Sequence, residues 1–264
     1  MSDAGFVRHA WPGVADGDGP LAFTSTRRGG VGVGAYASLN VGRGVGDDDA
    51  AVTENRSRLL ATHGMDAERL ALCDQTHSTA IAMVTAGGGA LDPSAQGPRV
   101  DALVTGTPGV AVGVMIADCV PVLLWSGRDG VVAAVHAGRV GMYNGIISKA
   151  LTAMRDEADV DVAECRAVVG PSIGPCCYEV SSEIADTFRA RLGGDVAAGR
   201  QLDLWRTASR ILTDAGVGAP NIRVEETCTS CDSDRFYSYR RDGEGTGRMV
   251  SVVVAPSGGR EPAS

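Results

Sequence analysis

The apolar positions of the chain fall into nine short runs dense in Val, Ala, Leu and Ile. They are Leu21–Thr26, Ala80–Val84, Val100–Thr105, Val110–Ile116, Val120–Trp125, Val131–His136, Arg166–Val169, Ile222–Glu225 and Met249–Val254. Their lengths and β-branched content predict strands. Four other segments carry helical spacing. Val52–His63 opens near the acidic cluster Asp47–Asp49, which suits a helix N-terminus. Asn144–Glu157 starts at an Asn suited to an N-cap and sets Ile147, Leu151 and Met154 on one face. Ser181–Leu192 runs into the stop signal Gly193-Gly194, and Gln201–Ala215 repeats Leu204, Ala208, Ile211 and Leu212 before Gly216.

The runs between Val100 and His136 are separated by turn-length gaps, which predicts an antiparallel meander rather than crossovers. Helical segments bracket that stretch. The expectation is an α+β (mixed α/β) fold: a single domain over residues 1–264, with a layered central mixed sheet and flanking helices. Ala86–Arg99 is a Gly/Pro/Ser loop too short to divide domains, and Ser257–Ser264 is expected to be a frayed tail. Glycine fills 36 of 264 positions without a collagen period and aromatics are only 5%, so Ala and Val must carry the core between many tight turns.

Charge and hydropathy narrow the partners. The formal charge is −8 with no Lys/Arg run, which argues against a nucleic-acid binder. The longest apolar runs are broken by Asp, Gly or Pro before the roughly 18–20 residues of a membrane span. Met1–Val14 has no apolar core of the kind a signal peptide needs. A cytoplasmic protein acting on small molecules is expected, with its seven cysteines reduced.

Gly29–Gly34 follows a strand candidate and invites a phosphate-cradle reading. The dinucleotide fingerprint fails, because Ala35 and Ala37 stand where its third glycine belongs, and no Lys completes a P-loop. The stretch reads as a flexible turn. Arg27, Arg28 and Asn40 around it could line a pocket mouth.

Two of the four histidines sit in chemically suggestive places. His77 lies in the polar island Asp74–Ser78, and His136 ends an apolar run just before Ala137-Gly138. Cys119 lies between them at the polar break Ala117-Asp118-Cys119. All three stand at element ends, where functional side chains are displayed. Two imidazoles and a thiolate suit a catalytic Zn²⁺ with an open fourth position, and Cu would be accepted equally. The gaps of 42 and 17 residues match no short-loop zinc motif, so on spacing alone hydrogen-bonded structural residues are the more frequent reading. Asp118 reads either as an orienter of the neighbouring ligand or as a turn carboxylate.

Cys228-Thr229-Ser230-Cys231 is the one C-x-x-C. A zinc ribbon needs a second spaced pair, whereas Cys176-Cys177 is adjacent, so buried thiols or a minor redox pair are expected. Cys176-Cys177, before a helix start, could also hold an activated nucleophile, although no base is evident beside it.

Taken together, several co-linear motifs resemble one family. They are Gln75–Ser78, Asp101–Thr105, Ala117–Val122, Val135–Gly138, Gly170–Val180, Cys228–Asp232, Phe236–Gly243 and Thr246–Arg248, within a match from about Phe23 to Val254. The family is the bacterial laccase-like polyphenol oxidases, also described as peptidoglycan editing factors and as purine nucleoside phosphorylases. The resemblance implies a layered α/β fold unlike that of true multicopper oxidases, and about one catalytic zinc per chain held by His77, Cys119 and His136. It also implies phosphorolysis of adenosine, inosine, guanosine and methylthioadenosine, and deamination of adenosine. One departure stands out. The family pattern His-Ala-Gly-Trp-Arg-Gly is here His136-Ala137-Gly138-Arg139-Val140-Gly141, so Arg139 takes the Trp place. On this reading Arg27, Arg139 or Arg241 would hold phosphate, Asn40 would line the pocket, and Tyr178, Phe236 and Tyr237 are candidates to stack a base. The alternatives are a peptidoglycan-precursor editing role and copper-dependent phenol oxidation, and four histidines are too few for the oxygen-reducing cluster of the latter.

Overall fold

The computed structural model describes residues 5–65, 67–85 and 98–257. Most of the expected Ala86–Arg99 loop and Ser257–Ser264 tail lies outside them. The strands are β1 Phe6–Arg8, β2 Ala22–Ser25, β3 Leu70–Ala71, β4 Ile81–Met83, β5 Ala102–Thr105, β6 Ala111–Ile116, β7 Val120–Trp125, β8 Val132–Ala137, β9 Arg166–Val169, β10 Ala197–Ala198, β11 Gln201–Leu202, β12 Ile222–Val224 and β13 Met249–Val254. The helices are α1 Asp49–Thr62, α2 Arg139–Tyr143, α3 Ile146–Ala158, α4 Ser182–Leu192, α5 Leu204–Asp214 and α6 Tyr239–Asp242. Each of the nine runs named from hydropathy holds a strand, β8 extending one residue past its run to Ala137.

Two mixed sheets stack face to face, one of five strands in the order β1-β2-β13-β6-β3 and one of six in the order β12-β9-β7-β8-β5-β4. The period of two along each strand decides which layer a side chain enters. In β7, Leu123 and Trp125 join Leu103, Val112, Val132 and Val253 between the sheets. Val120, Val122 and Leu124 point the other way, onto a cluster with Ile147 and Leu151 of α3, Phe188 of α4 and Ala208 and Leu212 of α5. The opposite face of the five-stranded sheet packs Phe23, Val250 and Val252 against Leu59 and Leu60 of α1. The result is a four-layer α/β/β/α arrangement, and both sheets are buried on both faces.

That layering corrects the expected meander. β5, β7 and β8 do pair antiparallel, but β6 leaves for the other sheet, where it pairs with β13 and β3. The segment between β5 and β7 therefore changes layer, and a turn-length gap allows that as readily as a hairpin. The Asn144 cap is also corrected. Gly145, at φ +89°, breaks the chain between α2 and α3, and Asn144 instead closes α2 through its N–H to Val140 O at 3.0 Å. Ser181 and Asp203 cap α4 and α5, their side-chain oxygens accepting from the N–H groups of Ile184 and Arg206. The helix expected from Gln201 starts at Leu204, because Gln201 and Leu202 pair with β10.

The glycine-rich stretch is not loose. Val31 N–H donates to Asn55 Oδ1 at 2.8 Å and Gly30 N–H to Ser38 Oγ at 3.1 Å. A Cβ on Gly30 would collide with the Ser38 carbonyl and the Asn55 side chain, so glycine permits a close backbone approach to α1.

Candidate functional site

At one end of the six-stranded sheet, three element ends bring His77, Cys119 and His136 together. His136 lies near the end of β8, Cys119 immediately precedes β7, and His77 sits in the turn before β4. β7 and β8 are register neighbours, with Val120 opposite Ala137, so Cys119 and His136 are adjacent whatever their 17-residue separation. His77 and Asp118 both take left-handed backbone, at φ +57° and +91°, where non-glycine residues are uncommon. The ligating atoms of the three side chains lie within 4.8 Å of one another. Cys119 Sγ is 3.8 Å from His77 Nε2, and the two imidazole rings meet edge to face at 4.9 Å.

A buried carboxylate organises this cluster. Asp101, at the head of β5, accepts from His136 Nδ1 at 2.8 Å, from the His77 N–H at 3.0 Å, and from the Ser78 N–H and hydroxyl at 2.6 and 2.7 Å. Its backbone carbonyl also accepts the His136 N–H at 2.8 Å. Holding His136 by Nδ1 leaves Nε2 as the free nitrogen. Asp118, by contrast, is the turn carboxylate, accepting from Thr229 Oγ1 at 2.7 Å and the Arg240 N–H at 2.6 Å.

The electrostatics follow from this packing. Burial opposes the Cys119 thiolate, but the His136 and His77 imidazoles outweigh it and bring the thiol down to about 6. Burial likewise opposes a charged His136, yet the Cys119 thiolate and Asp101 hold the imidazole up to about 9. Desolvation works against the Asp101 charge too, and the hydrogen bonds from His136 and Ser78 keep its carboxyl well below the usual range.

The donor set fits a zinc-class ion. Bonds of about 2.0–2.3 Å place tetrahedral donors roughly 3.3–3.8 Å apart. The Asp101–His136 contact is the carboxylate–histidine pairing that orients a metal-binding imidazole. Gly138 completes the cradle, since a Cβ there would stand 3.0 Å from both Cys119 Sγ and His77 Cδ2.

The other candidates divide into two groups. Arg139 and Tyr178 come to the site's margin. Burial raises the Tyr178 hydroxyl, and the Arg139 guanidinium, within hydrogen-bonding reach, opposes that shift. The Arg240 guanidinium stacks over the Tyr178 ring at 5.0 Å. The second group faces inward. Asn40 is fully buried, its amide donating to Gly42 O and Asp47 and its oxygen accepting from Gly42 N and Arg248 N. Arg241 spends its donors on the carbonyls of Thr229, Ser230 and Phe236 and on Asp242. Phe236 and Tyr237 are fully buried beside Ile116 and Met249. Arg27 donates to Ala37 O and Ser233 O and lies 4.6 Å over the Tyr237 ring.

The sequence assigns no role to two residues that lie within the family motifs. Asp101 carries only a weak signal, an acid opening an apolar strand. Arg248 feels the charge of Cys119 and so lies near the cluster, although burial lowers its own pKa. Its place in Thr246-Gly247-Arg248 shows no periodicity that would point there.

A family model described as multi-copper polyphenol oxidoreductase laccase matches residues 21–256. The chain is 36% identical over 261 residues to the purine nucleoside phosphorylase YlmD of Geobacillus stearothermophilus, covering 94% of each. A purine nucleoside phosphorylase of Mycobacterium tuberculosis is 40% identical over 235 residues, covering 87% of this chain and 90% of the relative. The crystal structure of Geobacillus stearothermophilus YlmD superposes with a TM-score of 0.85 at 34% identity, covering 96% of this chain and 99% of that one. A Bacillus licheniformis protein, YfiH, superposes with a TM-score of 0.84 at 31% identity, covering 89% and 92%.

Proposed function

This chain belongs to the multi-copper polyphenol oxidoreductase laccase family, and from that premise we propose that it is a zinc-dependent purine nucleoside phosphorylase that also deaminates adenosine. The observation that carries the proposal is the convergence of His77, Cys119 and His136 within 4.8 Å, in a chain whose relatives are named purine nucleoside phosphorylases. His77, Cys119 and His136 would hold the ion. Bound there with one position open, zinc supplies Lewis-acid activation of an oxygen on water or substrate.

The rest of the chemistry falls to this chain's side chains. Asp101 fixes the His136 tautomer and keeps both histidine-bearing segments in place. Arg139 and Arg248, near Tyr178 and Cys119 respectively, provide cations at the margin for a phosphate that attacks the ribose anomeric carbon. The half-buried Tyr178 ring, backed by Arg240, offers a face against which a purine can lie. Copper oxidase chemistry is less well served. His9 is committed to Thr24 at 2.8 Å and His63 is stacked on Phe23, which leaves two imidazoles at the cluster.

The test is chromatography of adenosine incubated with metal-loaded protein, with and without phosphate. Adenine and ribose-1-phosphate appearing only with phosphate, together with inosine that appears without it, are the expected products. If neither reaction occurs while a cell-wall nucleotide precursor is cleaved, the nucleoside reading is wrong.

A further inference from the structure

A second sulfur-rich cluster lies apart from the His/Cys/His site. The sulfurs of Cys176, Cys177, Cys228 and Cys231 all lie within 4.8 Å of one another. Cys231 Sγ is 3.5 Å from Cys176 Sγ and 3.3 Å from Cys177 Sγ. Adjacency of Cys176 and Cys177, the ground for setting aside a metal, proves no obstacle. The N–H groups of Cys177 and Tyr178 both turn back to Gly174 O at 3.0 Å, and this tight turn brings both sulfurs to the same side. The C-x-x-C segment meets them because Ser172 and Cys228 form a parallel β-bridge.

We propose that these four cysteines form a mononuclear tetrathiolate site for a zinc ion, structural in role and distinct from the His77/Cys119/His136 cluster. Zinc–sulfur bonds of about 2.3 Å set the edges of a tetrahedron at roughly 3.8 Å, and Cys231 stands 3.3 and 3.5 Å from two of its partners with all four sulfurs within 4.8 Å. A multi-iron cluster places several atoms between its thiolates and needs a wider opening. A disulfide would use two sulfurs and leave two thiols packed on it. Cys228 Sγ also accepts the Gly174 N–H at 3.2 Å, and N–H donors of this kind favour a thiolate. Four soft donors in tetrahedral array select zinc among the common divalent ions.

The position gives the ion something to hold. Thr229, inside the C-x-x-C, donates its hydroxyl to Asp118, next to Cys119. Arg241 braces the Thr229 and Ser230 carbonyls at 3.0 and 3.1 Å. Tyr178 directly follows the Cys176-Cys177 turn. The ion would tie the turn bearing Tyr178 to the segment that anchors Asp118, in the way a disulfide ties two loops.

Elemental analysis of full-length protein, purified under reductant with zinc present and then desalted, tests this. Two zinc ions per chain are expected in the parent, one in Cys231→Ser, one in His136→Ala, and none in the double variant. A single zinc in the parent that Cys231→Ser retains and His136→Ala loses overturns the proposal and leaves the nucleoside reading standing. Copper or iron as the cysteine-dependent ion overturns it too. Thiol counting on the parent covers the case in which the variant does not fold. Cys176 and Cys231 are exposed, yet they should resist a thiol reagent until a chelator is added. Immediate reaction of both, or a disulfide linking Cys231 to Cys176 or Cys177, overturns the site.

Discussion

Asp101 and His136 are joined twice, by a 2.8 Å side-chain contact to Nδ1 and by a 2.8 Å backbone bond from the His136 N–H to the Asp101 carbonyl. The strand pairing of β5 with β8 makes the second bond, and the first then aims the imidazole. Asp101→Asn should preserve the pairing but replace an acceptor with a donor facing the Ser78 or His77 N–H. Zinc affinity should fall by roughly 10- to 100-fold, the usual cost of losing such a partner. Competition with a coloured chelator measures it, and unchanged affinity would mean that the carboxylate serves only the turn.

Zinc uptake at this cluster should depend steeply on pH. In the ion-free chain Cys119, at about 6, is a thiolate at neutral pH, while His136, at about 9, is protonated. The ion needs both groups unprotonated, so between pH 6 and 9 one proton must leave His136 for each ion bound. Affinity should therefore rise about tenfold per pH unit across that window and level off above it. The stability of the ion-free fold runs differently. His136, raised above its unfolded value, contributes below pH 6.5 and loses that contribution as pH rises through about 9. Cys119, lowered, contributes above its unfolded value and loses that as pH falls through about 6. The two trends oppose each other: what His136 loses above pH 6.5 Cys119 gains, so the pair should leave the stability of the ion-free protein nearly level from pH 6.5 to 9. Thermal melts of chelator-treated protein across pH 6.5–9 check this, and a steep change in that window that the Cys119→Ala/His136→Ala double variant lacks would contradict the offset.

How much of this was legible depended on how local the signal was. β7 and β8 announce themselves as apolar runs, and their ends mark Cys119 and His136 because a strand displays its last residues at a sheet edge. The Cys176–Cys231 cluster was invisible for the opposite reason. Adjacent cysteines look unsuited to a shared ion until the turn at Gly174 rotates them together, and that turn depends on the pairing of Ser172 with Cys228. Asn40, Arg241, Phe236 and Tyr237 look like binding residues by type. Arg241 is held by carbonyls 5 to 12 residues away. Asn40, Phe236 and Tyr237 are set inward by partners far along the chain, Arg248 for Asn40, Ile116 beside Phe236 and the Tyr36 carbonyl for the Tyr237 hydroxyl. The second sheet escaped for the same reason, since β6 finds its partner in β13, more than a hundred residues later.

Gly138 should not tolerate a side chain. An added Cβ would press on Cys119 Sγ and His77 Cδ2, each at 3.0 Å, and His77 could yield only by moving its left-handed turn. Gly138→Ala should keep its far-ultraviolet circular dichroism, because Gly138 lies outside the strand and precedes α2. Its zinc affinity should fall at least as far as that of Asp101→Asn. Full affinity would show that the two ligands relax freely.

The departure at Arg139 yields the sharpest contrast. Arg139 opens α2, half-buried, with its guanidinium in reach of the Tyr178 hydroxyl, whereas Val140, in the family's Arg place, is exposed. Arg139 is thus placed to restore a cation at the site's margin from the neighbouring backbone position. If it holds phosphate, Arg139→Ala loses a charge-assisted contact of about 1.5–3 kcal/mol, or roughly 10- to 150-fold in the KM for phosphate. Deamination, which uses no phosphate, should be nearly unchanged. Arg241→Ala makes the control, because every contact of that guanidinium is internal. It should lower the melting temperature and depress both reactions together, with no selective change in the phosphate KM. Steady-state kinetics of both reactions on the two variants decide the matter. An equal loss of both activities in Arg139→Ala would assign Arg139 to shaping the pocket around Tyr178 and leave phosphate to Arg248.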